Sequence, residues 1–216
     1  MINFIKLFFS NRSILRIFQI NEISKCYLSG NSIEFGAHED KEKNFSFFAK
    51  GDAKYQLSNI NSDNKNILNF DLTKKINIEN DTYENVLIFN VLEHLSNIEI
   101  PLKEIHRILK INGNVFGSTP FLYRIHGAPD DYLRFTESYL CNQFKLLGYK
   151  DIKIIPLGYG PFLSSFSLLR GVLKYIPIFY QLMLLMVVFL DFILTKLMKK
   201  NLKNIYPIGY FFSAKK

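Results

Sequence analysis

The segment HGAPDDYLRFT, residues 126–136, holds the densest group of chemically reactive side chains in the sequence. The group consists of His126, Asp130, Asp131, Tyr132 and Arg134. An imidazole can take a proton from a hydroxyl group, a carboxylate can orient that imidazole, and a guanidinium can bind a phosphate or carboxylate. The segment therefore predicts acid–base chemistry on a polar acceptor, with His126 as the first candidate for the base. The alternative is an ordinary Pro-Asp-Asp turn that leads into a helix.

A second histidine lies next to an acidic residue in FNVLEHL, residues 89–95. His94 is the second candidate for the base. The alternative is that both residues cap the structure that follows a strand.

The segment SIEFGAHED, residues 32–40, resembles the start of a nucleotide-binding loop. A strand ends near the acidic residue Glu34 and leads into the small residues Gly36 and Ala37, where backbone can approach a ligand closely. His38 and Asp40 stand where such loops hold small residues. Two interpretations remain open, a reshaped loop that still binds a cofactor and a loop that no longer binds one.

Short β-like runs alternate with helical or loop segments between residues 31 and 148, which is typical of a parallel α/β sheet. Strands are predicted at residues 32–35, 53–57, 66–70, 85–89, 114–118, 151–157 and 208–214. Asn59, Asp71 and Asn90 each follow a predicted strand. Because ligands of such sheets lie beyond the carboxyl ends of the central strands, we expect these polar groups at one binding site.

Helices are predicted on both sides of these strands. One covers residues 101–110, with Pro101 at its first position and Asn112-Gly113 at its end, and another begins near Thr136 and is closed by Gly148. Apolar residues at helical spacing predict an amphipathic N-terminal helix that covers the sheet. They are Ile14, Leu15 and Phe18, with Ile5, Phe8 and Phe9 before them.

FNVLEHL, followed by EIHRILKINGNVFGSTPF at residues 104–121, resembles the core of class I S-adenosylmethionine-dependent methyltransferases. The resemblance is to the methyltransferase type 11-like branch with the LEH motif, and it covers about residues 32–148. It implies a Rossmann-like α/β fold with a seven-stranded sheet and helices on both faces, and S-adenosylmethionine as the cofactor. Residues 126–136 are similar to a stretch in members linked to surface-polysaccharide and sugar modification.

The resemblance also implies roles for residues along the sheet edge. Asn59 falls where the family binds the ribose hydroxyls, and Asp71 fits the acceptor for the adenine amino group, with the Leu72 N–H nearby. Glu93 and His94 correspond to positions at the mouth of the site, where they would face the substrate. The implied cofactor contacts are Glu34, Gly36, Ala37, His38, Asn59, Asp71, Leu72, Asn90 and Leu92. The implied activity is methyl transfer to a small-molecule or glycan acceptor. The alternative is a non-catalytic methyltransferase-fold protein that binds or acts as a scaffold at a membrane.

Composition narrows the class of protein further. The chain of 216 residues is 48% hydrophobic and carries a net charge of +8, which indicates a globular protein with a preference for acidic partners. No basic stripe interleaved with aromatic residues is present, so we do not expect nucleic-acid binding. Cys26 and Cys141 have no metal-ligand spacing, no metal site is predicted, and a reducing, cytoplasmic location fits. Lys6, Arg12 and Arg16 interrupt the apolar N-terminus before a signal-peptide core.

A long hydrophobic block follows residue 160 and precedes the last predicted strand. We divide the chain into an N-terminal helical segment (1–30), a methyltransferase-like core (31–160), a hydrophobic helical insertion (161–204) and a final strand of the core sheet (205–216). The family resemblance implies that the strands on the two sides of the insertion pair, so the insertion should not cross a membrane. It is expected to pack on the domain and a partner, or to lie on the cytoplasmic face of a membrane with its lysines at anionic head groups. The alternative is an extended buried helix or a homodimer interface.

Overall fold

The computed structural model describes residues 7, 10, 12–173 and 175–216. The expectation for Ile5, Phe8 and Phe9 therefore lies outside the described residues. Nine strands are present in the described part of the chain. They are β1 (Tyr27–Leu28), β2 (Asn31–Phe35), β3 (Lys50–Gly51), β4 (Lys54–Asn59), β5 (Ile67–Asn69), β6 (Tyr83–Phe89), β7 (Leu109–Pro120), β8 (Lys150–Leu157) and β9 (Gly209–Lys215).

Seven of these strands form one sheet in the order β5-β4-β2-β6-β7-β9-β8. The first five are parallel, while β9 runs antiparallel to both of its neighbours. The predicted pairing of the last two strands is therefore present. The crossover from β5 back past β4 and β2 to β6 places the ends of β2 and β6 side by side, which is a topological switch point.

The described helices are α1 (Ile14–Ile23), α2 (Glu99–Ile108), α3 (Glu137–Leu146), α4 (Pro161–Leu168), α5 (Arg170–Leu173) and α6 (Pro177–Met198). α3 begins as predicted, because the Thr136 side chain accepts from the Tyr139 N–H. α1 buries Ile14, Leu15 and Phe18, also as predicted.

The predicted bounds of α2 were wrong by two residues. The helix begins at Glu99, where Asn97 Oδ1 accepts from the Glu99 N–H at 2.7 Å, so Pro101 is not its first residue. It ends at Ile108 because Leu109 is already extended and pairs with Tyr83 of β6.

Apolar side chains fill both faces of the sheet. On one face α2 and α3 pack against β2, β6 and β9, through residues such as Leu102, Phe144 and Phe212. On the other face α1, α4 and α6 pack against the same sheet, through residues such as Ile17 and Leu184. The expected layer of helices on each face is confirmed. The two layers bury both faces of the sheet, and loops extend from its carboxyl edge.

The long helix α6 packs on the domain along only one side. It buries Tyr180, Leu184, Val187 and Asp191, and the opposite side is exposed and apolar. It is the one described helix that is long and apolar enough to cross a membrane by length and composition. One expected alternative was an extended helix buried within this chain. That alternative is wrong, because one side of α6 is exposed.

Asp191 has a structural role inside this apolar helix. Its Oδ1 and Oδ2 accept from the N–H groups of Phe162 and Leu163 at 3.0 and 2.8 Å. These two N–H groups lie in the first turn of α4, where backbone N–H groups have no hydrogen-bond acceptor within the helix. Asp191 therefore joins α6 to α4, and both of its carboxylate oxygens accept hydrogen bonds.

Candidate active site

A cavity of about 440 Å³ opens at the carboxyl ends of β2, β4, β5 and β6. Its lining includes Gly36, Asn59, Asp71, Leu72 and Asn90, all predicted from the sequence as cofactor contacts. His94, Asp130 and Tyr132 line another part of the same cavity. The sheet thus brings the predicted cofactor residues and part of the predicted acceptor residues to one cavity.

A second cavity of about 620 Å³ lies on the other side of Gly36, towards α1. It is lined by Arg12, Arg16, Glu34 and His38, and it shares Gly36 and Asn90 with the first cavity. The two arginines give it positively charged groups. Sequence reasoning missed Arg12 and Arg16 as site residues, because nothing in the N-terminal segment indicates that it folds back over the first loop.

Gly36 has a backbone conformation that only glycine adopts easily. Its φ is +71°, and a Cβ atom there would lie 2.4 Å from Cγ2 of Val91. Val91 leaves no room for a side chain at Gly36, and the residue lines both cavities. Its predicted approach to a ligand stays a prediction.

Glu34 binds the backbone of the loop that follows β2. It is buried, and its two carboxylate oxygens accept from the N–H groups of Phe45 and Ser46 at 2.8 and 2.9 Å. Burial raises the pKa of Glu34, and the bonds from Ser46 and Phe45 and the nearby Arg16 guanidinium partly oppose that shift. Its carboxylate is thus occupied with the loop backbone, although the residue also borders the larger cavity.

His38 and Asp40 form turns in this loop. The Asp40 N–H donates to His38 Nδ1 at 3.0 Å, and the Asp40 side chain accepts from the Glu42 N–H at 3.1 Å. Asn44 holds the loop by accepting from the His38 N–H and donating to its carbonyl oxygen. Of these two residues, His38 lines the larger cavity, and Asp40 lines neither of the two cavities described above.

Asn59 and Asp71 stand at the outer end of the smaller cavity. Asn59 Nδ2 donates to the Ala37 carbonyl at 2.9 Å, which links the end of β4 to the loop after β2. Asp71 Oδ1 accepts from the Thr73 backbone and hydroxyl, and these bonds lower the pKa of Asp71. Asp71 is therefore charged at neutral pH and lines the cavity.

Asn90 is held by a residue that the sequence did not reveal. Buried Gln19 of α1 donates to Asn90 Oδ1 at 2.6 Å and to Ser118 Oγ at 2.9 Å, and Asn90 Nδ2 donates back to Gln19 Oε1. Asn90 has a φ of +54°. The backbone after β6 is thereby fixed where the two cavities meet.

The side chains of Ala37 and Leu92 do not reach either cavity. Ala37 is 1% exposed and Leu92 is fully buried in the core beneath α2. Their predicted contact with a cofactor is therefore limited to backbone atoms.

Glu93, His94 and His126 form a compact group, called here the acceptor cluster. The side chain of Glu93 has no exposed surface, and its Oε1 lies 3.9 Å from Nε2 of both histidines. Burial raises the pKa of Glu93 to about 8. Burial also lowers the pKa of His126, against the opposing effect of Asp131. Sequence reasoning placed Glu93 at the mouth but missed it as the centre of the group.

A salt bridge holds the outer part of the cluster. The Asp131 carboxylate binds both terminal nitrogens of Arg134 and accepts from the His126 N–H at 2.9 Å. The hydrogen bonds from Arg134 lower the pKa of Asp131. Asp131 and Arg134 thus fix the segment, while Asp130 accepts from the Tyr132 hydroxyl at 3.0 Å beside the cavity.

The segment is also attached to the sheet edge. The N–H groups of Tyr132 and Leu133 both donate to the Glu93 carbonyl oxygen, at 2.8 and 3.2 Å. This attachment brings residues 126–134 over the end of β6, as the sequence predicted for a loop at the mouth of the site.

The fit of this site to S-adenosylmethionine can be tested on the residues present. The buried hydroxyl of Ser58, which lines the smaller cavity, has no hydrogen-bond partner within the described part of the chain. Gly36 provides open backbone, Asp71 an acceptor, and the arginines of the larger cavity a partner for a carboxylate. These groups fit the adenosine and methionine parts of the cofactor.

Comparisons with known proteins agree with this geometry. A family model described as a methyltransferase domain matches residues 46–117. A methyltransferase from Archaeoglobus fulgidus, described as dependent on S-adenosylmethionine, aligns with a TM-score of 0.55 at 16% identity and covers 94% of this chain and 92% of its own. A putative methyltransferase of the same cofactor class from Listeria monocytogenes aligns with a TM-score of 0.56 at 13% identity, over 94% and 98% of the two chains.

A third solved structure is longer than this chain. Phosphoethanolamine N-methyltransferase 2 of Haemonchus contortus, in complex with S-adenosyl-L-methionine, aligns with a TM-score of 0.53 at 14% identity. The alignment covers 92% of this chain but only 52% of the Haemonchus protein, so this chain spans about half of its length. None of the curated proteins matches the chain.

The fold of this chain is that of class I S-adenosylmethionine-dependent methyltransferases, as the sequence predicted. The methyltransferase-domain match at residues 46–117 lies within that fold. S-adenosylmethionine is the cofactor of proteins of that class.

Proposed function

We propose that this protein transfers a methyl group from S-adenosylmethionine to a hydroxyl group of a small-molecule or glycan acceptor. The observation that carries the proposal is the cavity at the carboxyl edge of the sheet, where Asn59 and Asp71 lie at one end and His94, Asp130 and Tyr132 at the other. A cofactor and an acceptor can meet only where both sets of groups border the same space.

The cofactor residues divide between the two cavities. Asp71 accepts from the adenine amino group, and Asn59 binds the ribose hydroxyls. The cofactor passes along the Gly36 backbone, which lines both cavities. Arg12 and Arg16 bind the methionine carboxylate in the larger cavity, with the charge-assisted bonds that guanidinium groups make. When bound, the cofactor supplies a methyl group already activated by a sulfonium centre.

The acceptor residues then have to align one hydroxyl group and remove its proton. His126 and His94 of the acceptor cluster are the groups that take part in proton removal, and Glu93 lies between them. Tyr132 and Asp130 border the cavity and bind acceptor hydroxyl groups. Arg134 is engaged by Asp131, so its role is to position the segment.

A sugar or glycan acceptor is supported by the polar groups on the acceptor side and by the similarity of residues 126–136 to proteins of surface-polysaccharide modification. Such an acceptor would be methylated in the cytoplasm during its synthesis.

The exposed side of α6 supports a location at the inner face of a membrane. The exposed apolar residues repeat at helical spacing, at Ile178, Leu182, Leu185 and Phe189, and Lys196, Lys199, Lys200 and Lys203 follow them. Because β8 and β9 pair across the insertion, one crossing by α6 would place paired strands on opposite sides of a bilayer. The helix therefore lies along the surface, with lysines at anionic head groups. A homodimer that buries the same side is the competing arrangement.

Methyl transfer can be tested with radiolabelled cofactor. Purified protein is incubated with S-adenosyl-[methyl-³H]methionine and lipid-linked or nucleotide-linked sugars, and label in the acceptor is counted. We expect transfer to at least one hydroxylated acceptor. Cofactor binding without transfer to any acceptor class would favour the alternative, a non-catalytic protein that retains the fold as a scaffold at a membrane.

A further inference from the structure

The acceptor cluster contains a carboxylate that the protein itself leaves without a hydrogen bond. The Glu93 side chain is fully buried, and neither of its carboxylate oxygens has a hydrogen-bond partner within the described residues. A buried polar group without a partner is costly, so native proteins rarely keep one without a ligand or a chemical purpose. The oxygen Oε1 faces the Nε2 atoms of His94 and His126, each at 3.9 Å.

The first histidine is oriented as metal-binding histidines are. His94 Nδ1 lies 2.6 Å from the carbonyl oxygen of Asp130. Because a carbonyl oxygen can only accept, Nδ1 must carry a proton, so in the neutral ring the lone pair is on Nε2, the nitrogen 3.9 Å from Glu93 Oε1. An outer carbonyl or carboxylate that fixes the tautomer in this way is the usual partner of a metal-binding imidazole.

The second histidine has a carboxylate on its far side. His126 Nδ1 lies 3.3 Å from Oδ2 of Asp131, at an angle outside hydrogen-bond geometry, and its Nε2 faces Glu93. Arg134 holds Asp131 in place. Two imidazole nitrogens and one carboxylate oxygen thus converge, all within 4.8 Å of one another.

We propose that Glu93, His94 and His126 bind one divalent first-row transition metal ion, such as Zn²⁺. Ligand atoms that each lie about 2.1 Å from one ion can be at most about 4.2 Å apart. The two 3.9 Å separations from Glu93 meet this limit, and the whole group, within 4.8 Å, meets it after side-chain rotations that bring the two imidazoles closer together. Two imidazoles with one carboxylate suit Zn²⁺, Mn²⁺, Fe²⁺ or Co²⁺, whereas Mg²⁺ and Ca²⁺ prefer oxygen ligands alone.

Three protein ligands leave at least one coordination position open, which is the arrangement of catalytic rather than structural sites. His94 borders the cavity at the sheet edge, so that position adjoins the proposed acceptor. The ion would position a hydroxyl group there and lower its pKa, in place of direct proton removal by the two imidazoles, whose Nε2 atoms it would occupy, and this role rests on the proposed methyl transfer. The binding site itself does not depend on that function.

The chain provides matched controls, because two of its four histidines belong to the acceptor cluster and two lie elsewhere. His94 and His126 belong to the cluster, while His38 lies in the loop after β2 and His106 packs on Tyr149. Untagged protein is dialysed against a chelator and titrated with Zn²⁺ by calorimetry and with Co²⁺ by visible absorption. The variants are Glu93→Gln, His94→Ala and His126→Ala, with His38→Ala and His106→Ala as controls.

We expect one ion per chain for wild-type protein and for both controls. Loss of an outer partner of a metal ligand usually weakens binding about 10- to 100-fold, so loss of a ligand should weaken it by more than about 100-fold. Circular dichroism on each variant shows whether it is folded, and His94→Ala, whose side chain is partly exposed, gives the decisive result if Glu93→Gln does not fold.

Failure of the metal site and failure of the proposed function give different results. S-adenosylhomocysteine binding is measured on the same samples. Wild-type protein that binds S-adenosylhomocysteine but no ion, or cluster variants that bind the ion as tightly as the controls, would overturn the metal site and leave methyl transfer standing. Ion binding without S-adenosylhomocysteine binding would retain the metal site and reject the proposed function.

Discussion

At the scale of single residues, Gly36 is a position in the candidate site where there is no room for a side chain. Gly36→Ala would place a Cβ atom 2.4 Å from Val91 at a φ of +71°. We expect it to lower the free energy of unfolding by about 1–3 kcal/mol and to weaken cofactor binding, since both cavities meet there. Urea unfolding and cofactor titration measure the two effects.

Gly171→Ala is the matched control for this change. Nothing lies within 4 Å of a Cβ atom at Gly171, and the residue is in the short helix α5. Its stability should be unchanged or slightly higher, because alanine favours helix. Equal stability of the two variants would contradict the account of the loop.

His126 is the residue on which the acceptor side of the proposal depends. We expect His126→Ala to lower turnover at least about 100-fold, because proton removal or hydroxyl positioning is lost, and to leave cofactor affinity within about twofold. Initial rates and calorimetry with S-adenosylhomocysteine measure the two properties, and His106→Ala serves as the control. If cofactor affinity collapses and the protein unfolds, the segment 126–136 is structural instead.

Several residues of the candidate site could be predicted from their types and positions, but the central place of Glu93 in the acceptor cluster could not. Gly36, Asp71 and the segment 126–136 are visible because small, acidic and mixed reactive residues directly follow predicted strands. Glu93 becomes central only through the approach of His126, which is distant in the chain. Gln19 and Arg16 reach the site from α1, and no periodicity in α1 distinguishes a cavity-facing polar residue from a solvated one.

At the scale of elements, α2 is joined to the loop before β6 by a partly buried ion pair. Arg107 binds Glu104 and also donates to the carbonyl oxygens of Ile76 and Ile78. We expect Glu104→Gln to lower the free energy of unfolding at pH 7 by about 1–2 kcal/mol, because the charge-assisted bonds are lost. Glu99→Gln, on an exposed pair with Lys103, should cost less than about 0.5 kcal/mol.

The effect of Glu104→Gln should depend on pH. The hydrogen bond from Arg107 lowers the pKa of Glu104 below its usual value of 4.5. The group therefore stabilises the fold above the pKa of the unfolded chain, and this stabilisation is lost as pH falls through the lower folded pKa. In urea unfolding, the difference between wild type and variant should shrink below about pH 4.5. A constant difference would show that lost packing, not charge, is responsible.

A parallel α/β sheet could be predicted because β-like runs alternate with helical runs, and the pairing of the last two strands followed from the family resemblance. The ends of α2 could not, since Pro101 suits several positions in a first turn and only the Asn97 contact selects Glu99 as the start. The partial burial of α6 is also invisible in the sequence, because exposed and buried leucines look alike in an apolar run.

At the scale of the whole molecule, the exposed side of α6 should govern membrane association. We expect wild-type protein to float with vesicles that contain phosphatidylglycerol and to be released by high salt. Leu182→Glu with Phe189→Glu should abolish flotation, because both side chains are more than half exposed on one side of α6. Lys145→Glu, on α3, makes the same change in net charge and should not abolish it.

Flotation and oligomeric state together separate the two arrangements of α6. Protein that stays in the soluble fraction as a dimer, and becomes monomeric in the same double variant, would contradict the membrane location and assign this side of α6 to a second copy.

The central claim is that the reshaped loop after β2 still binds the cofactor of its class. Isothermal titration calorimetry with S-adenosylhomocysteine tests it most directly, on wild-type protein and on Asp71→Ala, with Asp63→Ala as an exposed control. We predict one site per chain, weakened by Asp71→Ala by about 1–3 kcal/mol through loss of the adenine contact and unaffected by Asp63→Ala. No heat of binding at millimolar S-adenosylhomocysteine, with the protein folded, would contradict the account.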